Sequence, residues 1–438
     1  MKKYFLFLLS LVLFFLSGSL SVLAQGTTSA RQVIIANGGK FESTPPYADY
    51  VTIESYNLST QAVTVFNTIY TQSTQDVLVS DNFAFVTAED SIVKYNIDTY
   101  QRLAAVKDSG INKLGLYNNN RLIITKEYPI GRFRVEVLNA DDLSMIALVD
   151  SIAGDCQGVC VYNKHAYVAV DSGYQGINGR MAIIDATTWK LESIVNFGPT
   201  AVGSRSVYPY GGYIYCVNKT PYGGGTVGSI TRYDPATGTF VTNVLNVKVG
   251  PGYGIAGNLL FLGINNSIGS YNLDTQAIAD TAIINYFGSA GAVEIHSVGV
   301  DYLNNKFYTN IGNRTSYSKG FVFSFAGDSL TSYTTGLNSD ACAIDFRTPT
   351  GVAPSGSVQE SVSVYPNPVN DYLFINVGNA TNLNEIKILD LTGRTIETRP
   401  VREGENNIRI SVADYPSGVY LISFMNSQGT KVRKFIKR

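Results

Sequence analysis

One short pattern recurs seven times through the middle of this chain, and it limits the possible fold more than any other feature. An aromatic or apolar residue is followed by Asn, Asp or another polar residue, then two or three residues on by Asp or Ser and often Thr. The copies begin at Tyr56-Asn57, Tyr95-Asn96, Leu138-Asn139, Ile184-Asp185, Tyr233-Asp234 and Tyr271-Asn272, with a degenerate seventh at Phe323-Ser324. From position 56 to position 323 there are 267 residues, six intervals averaging near 44. A period of roughly 40 to 50 residues belongs to propeller blades of four short strands, whereas β-helix repeats are much shorter. Asn or Asp at a strand end can bond its own backbone two residues on and so open a tight turn. The pattern therefore marks the turn from the third strand of each blade into the outermost fourth.

One unit shows all four strands, over 76–80, 83–87, 92–97 and 103–107. The segments are rich in Val, Ile, Tyr and Phe. The inner ones are apolar on both faces because each blade is covered by two neighbours. Before Tyr56 only 32–36 and 51–56 read as strands, followed by 63–69, so the first blade lacks its innermost strand. One strand, 342–346, is left over after the last copy, and placing it innermost in blade one closes the circle. The fold expected is all-β: a seven-bladed β-propeller over 25–348 followed by a small C-terminal β-sandwich. Six or eight blades would follow from one misread copy. Over about 31–348 the repeats resemble the surface-layer-type propellers with Tyr-Val-Thr-Asn-like strands, a likeness that implies a fold and not a function.

Both ends of the chain carry export signals. Lys2 and Lys3 precede an apolar run over 4–16, and Val22-Leu23-Ala24 offers small residues, so a signal peptide over 1–24 is expected, cut between Ala24 and Gln25. The run is shorter than the roughly 20 residues a spanning helix needs, so no transmembrane segment is expected in the mature chain. At the other end come Tyr365-Pro366-Asn367-Pro368, then a segment 387–394 containing Gly393, then a segment 415–420 containing Gly418, and a close on Phe435-Ile436-Lys437-Arg438. Together these resemble the type A sorting domain of the type IX secretion system, over 361–438. The resemblance implies a small β-sandwich read by the outer-membrane translocon and sorting machinery, and a cargo attached to the cell surface or released. Prolines cannot sit inside a paired central strand, and Thr392-Gly393 and Ser417-Gly418 are turn chemistry, which fits. A Pro-, Gly- and Ser-containing linker, 349–360, separates the two domains, which are expected to fold and move independently.

Composition narrows the chemistry. The net charge is −1 and the middle of the chain has no Lys/Arg-rich run, so nucleic acid is not an expected partner. Four cysteines, at 156, 160, 216 and 342, are too few to staple a domain of this size, and their spacing allows pairing as readily as free thiols. The spacing of Cys156 and Cys160 lacks the second pair a zinc site needs. Neither a Gly-x-Ser-x-Gly elbow nor a His-Glu-x-x-His string is present. The string from Gly252 to Gly257 matches Gly-x-Gly-x-x-Gly but has no strand–helix context.

The loops from second to third strand gather at one face of a propeller channel. Those over 37–49, 126–132, 171–180, 219–229 and 313–319 are long. They carry Tyr47, Tyr128, Tyr174, Tyr222 and Tyr317 with Lys126, Arg132, Arg180, Lys219, Arg314 and Lys319. Tyr gives a large amphipathic contact at low entropy cost, so this rim suits a nutrient, cofactor-sized molecule, glycan or protein partner. Cobalamin capture, known among surface propellers of this general type, is one specific version; no cofactor is identified by the residues. The chain has two histidines. His165 lies in a short turn on the opposite face, and Glu294 and His296 open an inner strand at the channel mouth. Three classes of function remain: a binding propeller, a lactonase- or lyase-like enzyme working through Glu294 and His296, and a structural coat or adhesion component.

Overall fold

In a computed structural model the described residues are 28–347, apart from 41, 43–46, 128–131, 172–177, 222–226, 286–293, 314 and 316, together with 362–438, apart from 377–382, 391–393, 403–404, 406 and 427–428. The expected signal peptide, the linker and Gly393 lie outside them. Among the described residues, seven four-stranded antiparallel sheets come from the repeats. Six of them run inner to outer in chain order. The seventh combines the last strand, Ala341–Arg347, with Ser29–Asn37, Val51–Asn57 and Val63–Ile69. This composite sheet is blade one, and blade seven ends with Ser329–Thr334.

The inner strands are Ala341–Arg347, Asp76–Ser80, Ile111–Tyr117, Asp155–Tyr162, Ser204–Tyr210, Val249–Ala256 and Glu294–Asp301. Each lies beside the next, and Glu294–Asp301 lies beside Ala341–Arg347, so the ring closes around a channel. All inner strands run the same way. Their starts and the loops from second to third strand therefore share one face, here the upper face, and the Asx-containing turns share the underside.

The turns show why the pattern repeats. Asn57 Oδ1 accepts the backbone N–H groups of Ser59 and Thr60 at 3.0 Å each. Asn96 does the same for Asp98 and Thr99 at 2.9 and 3.0 Å, and Asn272 for Asp274 and Thr275 at 3.0 Å each. Asp185 accepts from Thr187 and Thr188; these bonds and the Thr187 hydroxyl hold its carboxyl down at about 2. In the degenerate copy the Ser324 hydroxyl oxygen takes over, accepting from Ala326 N–H at 3.2 Å. Each turn then needs a left-handed residue: Gln61, Tyr100, Leu143, Trp189, Gly238, Gln276 and Gly327 have φ between 54° and 90°. Gly238 has open space where a Cβ would go, so Gly238→Ala isolates the conformational cost. It should lower stability by about 1–2 kcal/mol. Urea unfolding measures this, and no change would mean the turn can take another conformation.

Between blades the core is aromatic and β-branched. Tyr56 is buried and stacks on Tyr333 of blade seven, ring centroids 4.1 Å apart. Phe261 of blade six meets Phe307 of blade seven edge-on at 4.8 Å. The four cysteines are free, and burial pushes the Cys156, Cys216 and Cys342 thiols up to about 12. The Gly-x-Gly-x-x-Gly string sits within inner strand Val249–Ala256 and its turn, and Gly252 packs against the Tyr208 ring, which a Cβ would meet at 2.7 Å.

The C-terminal domain is a sandwich of a three-stranded sheet (Ser363–Tyr365, Tyr372–Asn376, Asn407–Ser411) and a four-stranded one (Thr395–Pro400, Leu383–Leu389, Gly418–Asn426, Gly429–Lys437). Its core, including Leu373, Ile386, Ile422, Phe424 and Phe435, is separate from the blade cores. Tyr365 lies half-buried and Pro366, Asn367 and Pro368 are exposed. Asn367 clamps the last strand, donating to Lys434 O at 3.1 Å and accepting from Ile436 N–H at 2.9 Å. Arg438 N–H donates to Val369 O at 2.9 Å, Lys437 is buried, and Gly418 opens the strand paired with Lys437.

The domain lies against the propeller's underside. Arg409 pairs with Asp274 of the blade-six turn, and the Tyr365 ring lies 5.1 Å from Tyr302 of blade seven. Tyr210 Oη donates to the same Asp274 at 3.0 Å.

Candidate functional site

A cavity of about 490 Å³ occupies the upper end of the channel. Its walls come from the first residues of the inner strands, among them Asp76, Lys113, Arg205, Tyr208, Tyr253, His296 and Cys342, with Lys219 and Asp340 from adjoining loops.

A common irregularity aims these side chains. Five inner strands carry a β-bulge at the same depth, each giving the inner strand one residue more than its partner, and Val249–Ala256 carries a second at Tyr253. The residues within them are Asn112-Lys113, Gln157-Gly158, Arg205, Gly250-Pro251 and His296. A bulge breaks the two-residue alternation and re-aims a side chain. Lys113, Arg205 and His296 thereby line the channel. Gly158 fits here because a Cβ would stand 2.9 Å from the backbone oxygen of Arg205 in the next blade.

His296 is the most tightly arranged group. Its side chain is 1% exposed, and Nδ1 lies 2.7 Å from Asp340 Oδ1. A carboxylate only accepts, so Nδ1 carries the proton, and whenever the ring is neutral Nε2 is an acceptor. Nε2 is buried and has no hydrogen-bond partner among the described residues. Asp340 is held by the connection into the closing strand. Its N–H donates to Asn338 O at 2.7 Å, and Asn338 O also accepts from Gly38 N–H at 2.7 Å. The hydroxyls of Ser339 and Thr335 reach Asn37 Oδ1 at 2.6 and 3.0 Å. The Thr335 hydroxyl also reaches Glu54, whose carboxyl burial pushes up.

The charges on the wall are uneven. Asp76 and Lys113 face each other at 3.8 Å, and burial raises the Asp76 carboxyl although Lys113 opposes it. The side chains of Arg205 and Lys219 have no hydrogen bond or ion pair among the described residues. The surrounding protein and then the neighbouring Arg205 lower the Lys219 ammonium, while Asp171 and Glu294 raise it. Burial pushes the Cys342 thiol up to about 12, which favours its protonated form over the reactive thiolate. Among the described residues no group of three or more His, Cys, Asp or Glu side chains could hold a metal ion.

The residues expected on the rim divide. Tyr128, Tyr174, Tyr222 and Arg314 lie outside the described residues. Tyr47 is half-buried, its ring 6.1 Å from Tyr50, and Tyr317 begins a third strand on the upper face. Arg132 is exposed and tied to Asp150 at 2.7 Å, and Arg180 lies in the blade-four sheet. Lys126 turns inward to Glu136 and Asp108 at 2.5 and 2.6 Å, and burial lifts the Glu136 carboxyl to about 7. Glu294 is exposed at the mouth, and Lys319 lies over the Phe321 ring. His165 sits on the underside, 3.0 Å from Glu192. Of the candidate site residues named from sequence, His296 and Lys219 line the cavity; Asp76, Lys113, Arg205, Tyr208, Tyr253 and Asp340 were not among those candidates.

Residues 363–438 match the family described as a secretion system C-terminal sorting domain. No curated protein matches the chain. Among solved structures, the hydrazine synthase of Kuenenia stuttgartiensis superposes with a TM-score of 0.50 at 15% identity, over 65% of this chain and 90% of that one. The WD40 repeats of RRP9 do so with a TM-score of 0.50 at 12% identity, over 77% of this chain and 94% of that one. Likeness at such identity shows the fold alone: a β-propeller. The sorting domain directs the chain to the cell surface or the medium through the type IX machinery. No helix among the described residues is long and apolar enough to cross a membrane.

Proposed function

We propose that the protein is a binding propeller displayed on or released from the cell surface, taking its ligand at the upper channel mouth beneath the Tyr-bearing loops. The observation that supports this most is the cavity itself, whose polar wall leaves the buried His296 Nε2 without a partner among the described residues. Its size falls within the roughly 300–1,000 Å³ usual for small-molecule sites. The sorting domain rests on the opposite face, so the mouth stays accessible while that domain meets its machinery.

A ligand that binds only the folded state raises the melting temperature. Melting the mature chain, 25–438, against glycans, sugar acids, peptides, cobalamins and divalent metals should give a shift with an organic ligand. That shift should vanish when Tyr208 and His296 are both changed to Ala. No shift with any of them would remove the small-molecule reading and favour a coat or a protein partner.

The His296–Asp340 pair supports a second, enzymatic reading, because a His oriented by a carboxylate with its other nitrogen free suits general base work. That reading requires turnover of the bound ligand, lost in His296→Ala.

A further inference from the structure

The chemical class of the ligand follows from the blade-five corner of the cavity, given the binding reading above. Arg205 and Lys219 sit close enough for the guanidinium to lower the ammonium, yet neither has a counter-ion in contact among the described residues. The acids on the cavity wall are engaged elsewhere, Asp76 with Lys113 and Asp340 with His296. The wall therefore carries two positive charges at one place, with Asp171 and Glu294 close enough to act on Lys219 but not in contact with it, in a partly enclosed site where an ion pair is stronger than in open water. Arg205 owes its position to the bulge between Ser204 and Ser206.

Across the Gly-rich strand Val249–Ala256, on blade seven, stands His296 with Nε2 as a buried acceptor awaiting a donor. Between the two corners the wall presents Tyr208 and Tyr253. An occupant satisfying all three features carries an acid group at one end, a hydroxyl to donate at the other, and a ring or chain that lies against aromatic surface.

We propose that Arg205 and Lys219 bind the acid group of a hydroxylated organic anion of the sugar-acid type, while His296 Nε2 accepts a hydroxyl of the same molecule. Arg supplies a two-pronged donor matched to carboxylate or phosphate, and Lys a point charge beside it. A free sugar and the acidic residue of a polysaccharide present the same group, and a carboxylate and a phosphate ester are both readable by this pair.

The test is titration calorimetry of the mature chain with glucuronate, galacturonate, glucose 6-phosphate and glucose at low salt. Oligogalacturonate separates a polymer end from a free sugar acid. At least one acid should bind while glucose does not, and added salt should weaken binding. Arg205→Ala and Lys219→Ala should each reduce affinity about tenfold or more, since hydrogen bonds to charged groups are the strong ones. His296→Ala should reduce it less. Neither cation has a hydrogen bond or ion pair among the described residues, so the unliganded melting temperature of both variants should stay at the wild-type value. That separates lost binding from lost folding. The more conservative Arg205→Gln repeats the test with the side-chain length kept.

Equal binding of glucose and the acids would overturn the anion assignment, as would acid binding that both Ala variants retain. No binding by any acid would overturn it too. If another ligand then shifts the melting temperature through Tyr208 and His296, the binding propeller stands and only its charge class is wrong.

Discussion

A chain ended after Thr350 will fold and will stay inside the cell envelope. The C-terminal domain has its own core, from Val362 to Phe435, and none of its residues belongs to a blade cluster. Its contacts with the underside include the exposed Arg409–Asp274 pair and the Tyr365–Tyr302 ring pair, neither of them part of a blade core, so losing them should cost the propeller little. Export should depend on the sorting domain as a folded unit. The Pro-Asn-Pro segment and the last strand lie some seventy positions apart, yet Asn367 holds Ile436 and Lys434 directly. A translocon reading this surface meets both pieces together or not at all. Fractionation of the producing cells should find the full chain on the surface or in the medium and the shortened one in the periplasm, with the same melting profile for its propeller. Equal export of both forms would sink the prediction. Ending the chain ten residues earlier, after Asp340, should have another consequence: without Ala341–Arg347 the ring is open and blade one has only three strands.

Much of this architecture was legible because its determinants are local. The Asn or Asp of each repeat bonds backbone two and three residues away, so chemistry and sequence spacing coincide. The leftover strand was legible too, because a closed ring has one place for it. The site was less so. Alternation predicts that inner-strand side chains point alternately toward the two neighbouring blades, and Arg205 and His296 face the channel only because bulges break that rule. A bulge has no sequence periodicity. The run Ser204-Arg205-Ser206, a charged residue between small polar ones at the start of an otherwise apolar blade, is the one signal that could have shown it. Asp340 was invisible for another reason: it meets His296 from 44 positions away, through a connection ordered by Asn37 at the opposite end of the chain. Lys219 was noticed as a loop cation, but its partner in charge, Arg205, is a strand residue and was not.

Replacing Arg347 by Ala should cost the protein about 3–5 kcal/mol, the usual penalty for breaking a buried ion pair by removing one partner. Asp345, on the closing strand, is 0% exposed. Its Oδ2 accepts from Gln32 Nε2 at 3.0 Å and from Arg347 Nη2 at 2.6 Å, and its Oδ1 accepts from Arg347 Nε at 2.7 Å. Arg347 continues to Asp98 of the blade-two turn at 2.7 Å, and Gln32 Nε2 to Ile97 O at 3.0 Å. This chain of bonds fastens the last strand of the ring both to the first strand of the sequence and to the neighbouring blade. Without Arg347, the Asp345 carboxylate keeps one neutral donor in a site closed to water. Asp345→Ala should cost less, near 3 kcal/mol, because Asp98 still meets the guanidinium. The two effects should not add in the double variant, since both remove the same pair. Urea unfolding reads all of these. Costs below about 1 kcal/mol for both single variants would mean that backbone pairing and the Tyr56–Tyr333 stack close the ring without this polar latch.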